Sequence, residues 1–267
     1  MADTVLYEVD GGLATITLNR PGAMNAVNNE AKSALRDAVL DAAGDNSIRA
    51  VLLTAAGDRA FCVGQDLKEH IGLLSEARAS ESGNAMSTVG EHYNPIVRAL
   101  AEMPKPVVAG INGVAAGAGL GFALACDYRV MADTATFTTA FAGVGLSADS
   151  GLSWTLPRFV GPGTAAELLL FPRSHTADEA RAMGVVNRVV PAARLAETAR
   201  SVARELAEGP TLAYASLKES LAYALDHSLE ETLAKEAELQ TRAGASEDHA
   251  TAVRAFTEKT RPRFQGR

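Results

Sequence analysis

Two glycine-rich segments have the composition of sites that bind ligands through backbone N–H groups. The first runs from Ala60 to Leu67, after a predicted buried strand, and the second runs from Asn112 to Gly121, where another such strand gives way to a predicted helix. Small residues let the main chain approach a ligand, and free N–H groups at a helix start favour negative charge. Either segment could therefore bind an anion or stabilise an oxyanion that forms during a reaction.

The glycines of the second segment allow two other interpretations. Gly117, Gly119 and Gly121 resemble a dinucleotide-binding fingerprint, but their spacing is GxGxG rather than GxGxxG and they lie in mid-chain, which disfavours that site. Close packing of a helix on a strand requires the same small residues. Spacing alone does not separate close packing from a ligand site.

Asp149 is one of the few carboxylates that lie where a catalytic group is expected. It lies in Gly-Leu-Ser-Ala-Asp-Ser-Gly, just before a predicted helical run that ends near Arg158. An aspartate there most often caps the helix or occupies its first turn, and the alternative is proton transfer. Asp66 and Asp127 follow apolar stretches and are predicted to hold loops through backbone hydrogen bonds.

The histidines and cysteines indicate neither a metal site nor a nucleophile. The five histidines lack the spacing of metal ligands, and two cysteines are too few for a disulfide framework or a zinc cage. Cys62 has no histidine in an obvious partner motif, so we predict a small buried thiol. Tyr93 and Trp154 are either pocket walls or core residues.

The elements that must position these residues follow an α/β pattern. A hairpin signal, Asp10-Gly11-Gly12, separates two short β-rich runs, and an amphipathic helix is predicted over Asn28–Ala43. Strand, helix and strand then recur, with buried strands predicted at residues 49–54 and 106–111 and a further strand at residues 128–131.

The C-terminal part is predicted to be mainly helical. It begins with a capping box at Thr176–Glu179 and a strand over Val185–Val190, and breaks at Gly209-Pro210 and Ala245-Ser246 divide the helices that follow. We predict a core over residues 1–195 and a helical region over residues 196–267. The apolar stripe Leu217, Leu221, Ala224 and Leu225 packs either on the body of its own chain or on another subunit. Residues 73–86 are the least regular stretch and are predicted to be mobile.

Composition limits the classes of partner. The 267 residues are 47% hydrophobic and 21% charged, with a net charge of −7, as in an ordinary globular protein. The acidic balance disfavours nucleic acid, and no apolar run is long enough to cross a membrane. The N-terminal residues lack the basic start of a signal peptide, so we expect a cytoplasmic protein without membrane partners.

Three blocks together resemble the enoyl-CoA hydratase/isomerase (crotonase) family. They are residues 61–67, residues 104–113, and the stretch from Gly117-Ala118-Gly119 to Cys126-Asp127. The resemblance implies a crotonase-like spiral of ββα units with a C-terminal helical trimerisation region, and a homotrimer or dimer of trimers. It also implies an acyl-CoA thioester substrate, so that coenzyme A enters as part of the substrate and no separate cofactor or metal is needed.

The same resemblance assigns the residues of the site. The thioester oxygen is expected to accept hydrogen bonds from the backbone N–H groups of Gln65 and Ala118. The residues expected to contact the substrate or its coenzyme A portion are Cys62, Gly64, Gln65, Asp66, Leu67, Lys68, Gly117 and Phe141, and Lys68 is a candidate phosphate partner.

Departures from the family pattern bear on the reaction. Hydratases of this family carry two glutamates, at positions that hold Gly121 and Phe141 here. Adding water requires two such groups, whereas moving a double bond requires one acid/base. Isomerisation is therefore favoured over hydration.

Residues 140–154 resemble one branch of the family, the 2-(1,2-epoxy-1,2-dihydrophenyl)acetyl-CoA isomerases, which place a catalytic aspartate at the position of Asp149. Ser147-Ala148 and Leu152 depart from that branch, which usually has Ile-Pro and Gly there. The alternatives are a Δ3,Δ2-enoyl-CoA isomerase or hydratase-like enzyme for an aliphatic chain, and a thioester-binding protein that has lost catalysis.

Overall fold

The computed structural model describes residues 3–72 and 86–267, and strands alternate with helices along most of this chain. In chain order the strands are β1 (Val5–Asp10), β2 (Leu13–Leu18), β3 (Ala50–Ala55), β4 (Ala60–Cys62), β5 (Val107–Ile111), β6 (Val114–Ala116), β7 (Tyr128–Ala132), β8 (Thr136–Thr138), β9 (His175–Thr176) and β10 (Arg188–Val190). The helices are α1 (Asn29–Gly44), α2 (Asn94–Glu102), α3 (Ala118–Leu124), α4 (Leu152–Leu170), α5 (Ala177–Ala182), α6 (Leu195–Ala207), α7 (Thr211–Tyr223), α8 (Leu229–Gly244) and α9 (Glu247–Glu258). Residues 67–72 are also helical.

The strands form two mixed sheets. One has the order β1-β2-β3-β5-β7-β10, and the other has the order β4-β6-β8-β9. Successive units place their first strand in the larger sheet and their second strand in the smaller sheet, as in β3-β4, β5-β6 and β7-β8, and a helix follows. This arrangement confirms the predicted α/β class.

The predicted N-terminal elements are confirmed. β1 and β2 pair antiparallel, with Val5 opposite Leu18, and Gly11 and Gly12 make the turn with φ angles of 54° and 80°. These left-handed angles favour glycine. The side chain of Asn28 caps α1 by accepting a hydrogen bond from the Ala31 amide at 3.0 Å.

The strands of the smaller sheet were not predicted from the residue pattern, and this sheet positions the site. Strands β4, β6 and β8 are neighbours and run parallel. Parallel neighbours end at the same edge of a sheet, so the residues that follow these three strands come together there. Each of these strands is three residues long.

Two predicted C-terminal features differ from the structure. The strand predicted over Val185–Val190 is limited to β10, because the amides of Val185 and Val186 donate to the carbonyl of Ala180 and close the end of α5. The predicted helix breaks are present, but a third one separates α7 from α8. Ser228 and Glu231 form a capping box at that break, a signal that the sequence contains.

The predicted boundary at residue 195 coincides with the start of α6, which packs on β3 and β5 of the larger sheet. The first helix of the predicted C-terminal region is therefore part of the layer that covers the core.

The apolar stripe on α7 and the turn that follows it does not cover its own body. Leu217, Leu221 and Leu225 are 60%, 72% and 52% exposed in the single chain, so the interpretation that the stripe packs on its own body is wrong. Packing on another subunit stays a prediction. The prediction of mobility for residues 73–86 falls almost wholly on residues 73–85, which lie outside the described part of the chain. No helix within residues 3–72 and 86–267 is long and apolar enough to span a membrane.

Candidate active site

A cavity of about 600 Å³ opens at the edge where β4, β6 and β8 end. Each strand delivers a short segment to its wall. The lining residues contributed in this way are Gly64 and Gln65 after β4, Gly117 and Ala118 after β6, and Ala140 and Phe141 after β8. The two glycine-rich segments singled out in the sequence therefore meet at one site.

The first two segments approach each other closely because Gly64 has no side chain. A Cβ atom added there would lie 3.3 Å from both the Ala118 nitrogen and the Ala116 oxygen. Gly64 also has a φ of +83°, and Gly117 has a φ of +52°, both in the region that favours glycine.

Two backbone amides at this junction are free to bind a ligand. The Val27 amide donates to the carbonyl of Gly64, and the Val27 carbonyl accepts from the amide of Asp66. The amide of Gln65, which lies between these two residues, donates to no acceptor within the described residues. Ala118 is the first residue of α3, so its amide is among the unsatisfied donors of the helix start. Gln65 and Ala118 line the same cavity, at the junction of its first two segments.

The remaining glycines of the second segment serve close packing. A Cβ atom at Gly119 would lie 2.1 Å from the carbonyl oxygen of Cys62, and one at Gly121 would lie 2.5 Å from the Ser150 carbonyl oxygen. The ligand and packing interpretations of this segment therefore apply to different residues, with Gly117 and Ala118 at the cavity and the later glycines inside the fold.

Asp149 is half-buried in the wall of this cavity and does not cap a helix. Gly151 occupies the N-cap position of α4, which receives no side-chain capping bond, so the capping interpretation is wrong. Burial raises the pKa of Asp149, and a hydrogen bond from the Ser150 hydroxyl to Asp149 Oδ1, 2.7 Å long, partly opposes this. Its Oδ2 accepts no hydrogen bond from the described residues.

The cavity has one other carboxylate among its described lining residues, Asp66. Burial opposes its charged form, but Arg20 Nη1 donates to Oδ2 at 2.9 Å and the Lys68 amide donates to Oδ1 at 3.1 Å. These bonds outweigh burial and lower the pKa of Asp66. The predicted structural role of Asp66 is confirmed.

Asp127, outside the cavity lining, also has its predicted role confirmed. Its Oδ2 accepts hydrogen bonds from the Val107 amide and Lys218 Nζ, both at 2.8 Å. These bonds tie the start of β5 to α7.

Cys62 is fully buried, and burial raises the pKa of its thiol to about 12. The predicted small buried thiol is confirmed, but Cys62, expected to contact the substrate, is not among the residues that line the cavity. Cys62 lies inside the fold, where its carbonyl packs against Gly119 of α3. Leu67 and Lys68 are exposed lining residues, and Phe141 is a buried one.

Tyr93 is a pocket wall, which the sequence left undecided. Its hydroxyl donates to Gln65 Oε1, and its ring packs edge-on against Phe122 with the centroids 5.7 Å apart. Burial and the nearby Asp149 carboxylate raise the pKa of Tyr93. Trp154 lies outside the cavity lining and is stacked on the guanidinium of Arg158.

Two polar atoms of the cavity residues are buried without a hydrogen-bond partner in the described part of the chain, Gln65 Nε2 and His70 Nδ1. Buried polar groups nearly always have partners, so such atoms indicate a place for a ligand or water. His70 was not predicted to belong to the site, because its position in the helical residues 67–72 carries no spacing signal. No cluster among the described residues could hold a metal ion.

Comparison with known proteins identifies the family. The sequence model of the enoyl-CoA hydratase/isomerase family matches residues 8–267. The chain belongs to this family. It is 41% identical to a probable enoyl-CoA hydratase of Rhodobacter capsulatus, over 99% of this chain and 98% of that protein. It is 39% identical to the 1,2-epoxyphenylacetyl-CoA isomerase of Escherichia coli, over the full length of both.

Solved structures show the same crotonase fold. A Mycobacterium abscessus protein assigned to the enoyl-CoA hydratase/isomerase family superimposes with a TM-score of 0.94 at 46% identity, covering 98% of this chain and 100% of that one. The enoyl-CoA hydratase of Bacillus anthracis superimposes with a TM-score of 0.90 at 29% identity, over 99% and 100% of the two chains. The predicted fold, an α/β spiral with C-terminal helices, is confirmed.

Proposed function

We propose that this protein is an acyl-CoA isomerase in which Asp149 moves a proton between two carbons of the acyl chain. One observation carries the proposal. Of the two carboxylates that line the described cavity, Asp66 is engaged by Arg20 and backbone amides, whereas Asp149 keeps one oxygen without a partner. Burial also raises the pKa of Asp149 towards the range of a useful base.

The proposed reaction needs no group beyond the substrate and the chain. The thioester oxygen accepts hydrogen bonds from the amides of Gln65 and Ala118. The Asp149 carboxylate takes a proton from one acyl carbon, and the C–H electron pair moves towards the thioester to give an enolate whose oxygen these amides stabilise. The protonated Asp149 then returns the proton to a different carbon, which leaves the double bond shifted. Fixed donors stabilise the enolate more than the ground-state carbonyl.

The residues at the two family glutamate positions support isomerisation over hydration. Hydration needs one group to deprotonate water and another to protonate the substrate. Phe141 occupies one family glutamate position as an apolar wall residue, and Gly121 occupies the other, against Ser150.

The proposed substrate is a ring-epoxide CoA ester derived from phenylacetate. The full-length similarity to the Escherichia coli 1,2-epoxyphenylacetyl-CoA isomerase supports this choice, and so does the residue pattern around Asp149. We further propose that the coenzyme A portion lies along residues 65–68, where the exposed Lys68 can reach a phosphate. The similar Rhodobacter capsulatus protein, a probable enoyl-CoA hydratase, makes hydration the rival to test.

The test is turnover of three substrates by the wild type and by Asp149→Asn. They are crotonyl-CoA, a 3-enoyl-CoA and the ring epoxide of phenylacetyl-CoA. We expect isomerisation without hydration, reduced about 10²–10⁴-fold in the variant, while binding of a saturated acyl-CoA stays unchanged. Asp37→Asn makes the same chemical change at an exposed position and should keep full activity.

Other results would contradict the proposal in different ways. Hydration of crotonyl-CoA that survives Asp149→Asn would assign the chemistry to other residues. Tight binding without turnover of any of the three esters would indicate a thioester-binding protein.

A further inference from the structure

We propose that Ser150 is a positioning residue that fixes the Asp149 carboxylate for proton transfer, an inference that rests on the proposed function of Asp149. Ser150 is 1% exposed, and its hydroxyl donates to Asp149 Oδ1 at 2.7 Å. One carboxylate oxygen is thereby held while the other is left for the substrate.

The backbone at Ser150 adopts a conformation that serine rarely adopts. Its φ is +51°, and the next residue, Gly151, has a φ of +76°. Two successive left-handed residues turn the chain into α4, so that Asp149 faces the cavity instead of capping the helix. The backbone of a residue other than glycine is strained at such an angle. The serine at this position therefore points to a use for its hydroxyl.

Gly121 makes room for this turn from the opposite side. A Cβ atom on Gly121 would lie 2.5 Å from both the Cβ and the carbonyl oxygen of Ser150. Gly121 belongs to α3, the helix whose first amide is that of Ala118. The helix that supplies an oxyanion donor thus packs directly on the residue that holds the base.

The hydroxyl has both a geometric and an electrostatic consequence. It restricts rotation of the carboxylate, and a hydrogen bond to the charged form of an acid favours that form. Its loss should therefore raise the pKa of Asp149 further, since burial already raises it. A substitution at Ser150 leaves in place the other titratable side chains that line the described cavity. They are Arg20, Asp66, Lys68, His70 and Tyr93.

The experiment compares the pH dependence of kcat for isomerisation in the wild type, Ser150→Ala and Ser150→Gly. Asp149 must be deprotonated to accept a proton, so kcat falls on the acid side. Loss of a hydrogen bond to a charged group is expected to move this acid limb to higher pH by about one unit. We expect that shift in both variants, with about a tenfold lower kcat at the plateau and little change in KM. The glycine variant accepts the left-handed φ without strain, so it folds even if the alanine variant does not.

Ser153→Ala is the matched control, because it removes an exposed hydroxyl close by and should leave the profile unchanged. An acid limb within 0.3 pH units of the wild type (roughly the precision of such a profile) in the folded Ser150 variants would overturn the inference. So would a shift in Ser150→Ala that Ser150→Gly does not share, because both variants lose the hydroxyl and its loss would then not be the cause. Asp149→Asn separates the two proposals. Full turnover in that variant refutes the proposed function, whereas an inactive Asp149→Asn with unshifted Ser150 variants refutes only the role of Ser150.

Discussion

Replacing Gly119 with Ala places a methyl group where the structure has no room for one. The added Cβ would lie 2.1 Å from the Cys62 carbonyl oxygen and 2.6 Å from its Cβ. An ordinary carbon–oxygen contact is longer by more than about 1 Å, so α3 must move away from β4 by roughly that distance. Such overpacking costs about 1–3 kcal/mol of unfolding free energy.

The same displacement carries the amide of Ala118 away from the proposed position of the thioester oxygen, because Ala118 and Gly119 are the first residues of one helix. A misplacement of about 1 Å can reduce a rate about 10²-fold. We therefore expect Gly119→Ala to lose both stability and turnover, with both losses arising from one contact.

Denaturant unfolding and kcat/KM for the isomerised substrate measure these two effects. Gly163→Ala is the matched control, since nothing lies within 4 Å of a Cβ atom added there; helix propensity predicts no loss of stability, and a gain of up to about 1 kcal/mol. If Gly119→Ala unfolds within about 0.5 kcal/mol of the wild type and turns over at the wild-type rate, the close contact does not position the amide and the reasoning is wrong.

Four further outcomes follow from burial and exposure. Because burial raises the pKa of Asp149, kcat/KM should fall through an acid limb above the value near 4 of a free aspartate, which a pH profile measures. Asp149→Asn should be more stable than the wild type at neutral pH, because burial penalises the charged carboxylate. This gain should shrink as the pH falls and Asp149 is protonated in the folded wild type; denaturant unfolding at two pH values measures it. Cys62 and Cys126 are both buried, with pKa values raised to about 12, so a thiol reagent should modify neither until the chain unfolds. Leu221 is 72% exposed on α7, and Leu221→Glu should lower the mass found by light scattering if this face packs on another subunit.

The longer elements could be predicted because local signals specify them. The capped start of α1, the glycine turn between β1 and β2, and the capping box of α5 each depend on residues a few positions apart. The strands of the smaller sheet were missed because two or three residues are too few to show a period. Their length is set by pairing with neighbours distant in sequence, as in the pairing of β4 with β6.

The same limit explains which parts of the site could be predicted. The segments that contain Gln65 and Ala118 could be predicted because small residues in a run are a local signal. Asp149 was a candidate from its position alone, and family resemblance favoured proton transfer over capping. Their convergence depends on the parallel register of β4, β6 and β8, which no local pattern encodes. The orientation of Asp149 depends on a contact between Gly121 and the backbone of Ser150, and these residues lie on different elements. Gly121 stands where the family carries one of its acids, and its lack of a side chain also leaves room for the turn that carries the proposed base.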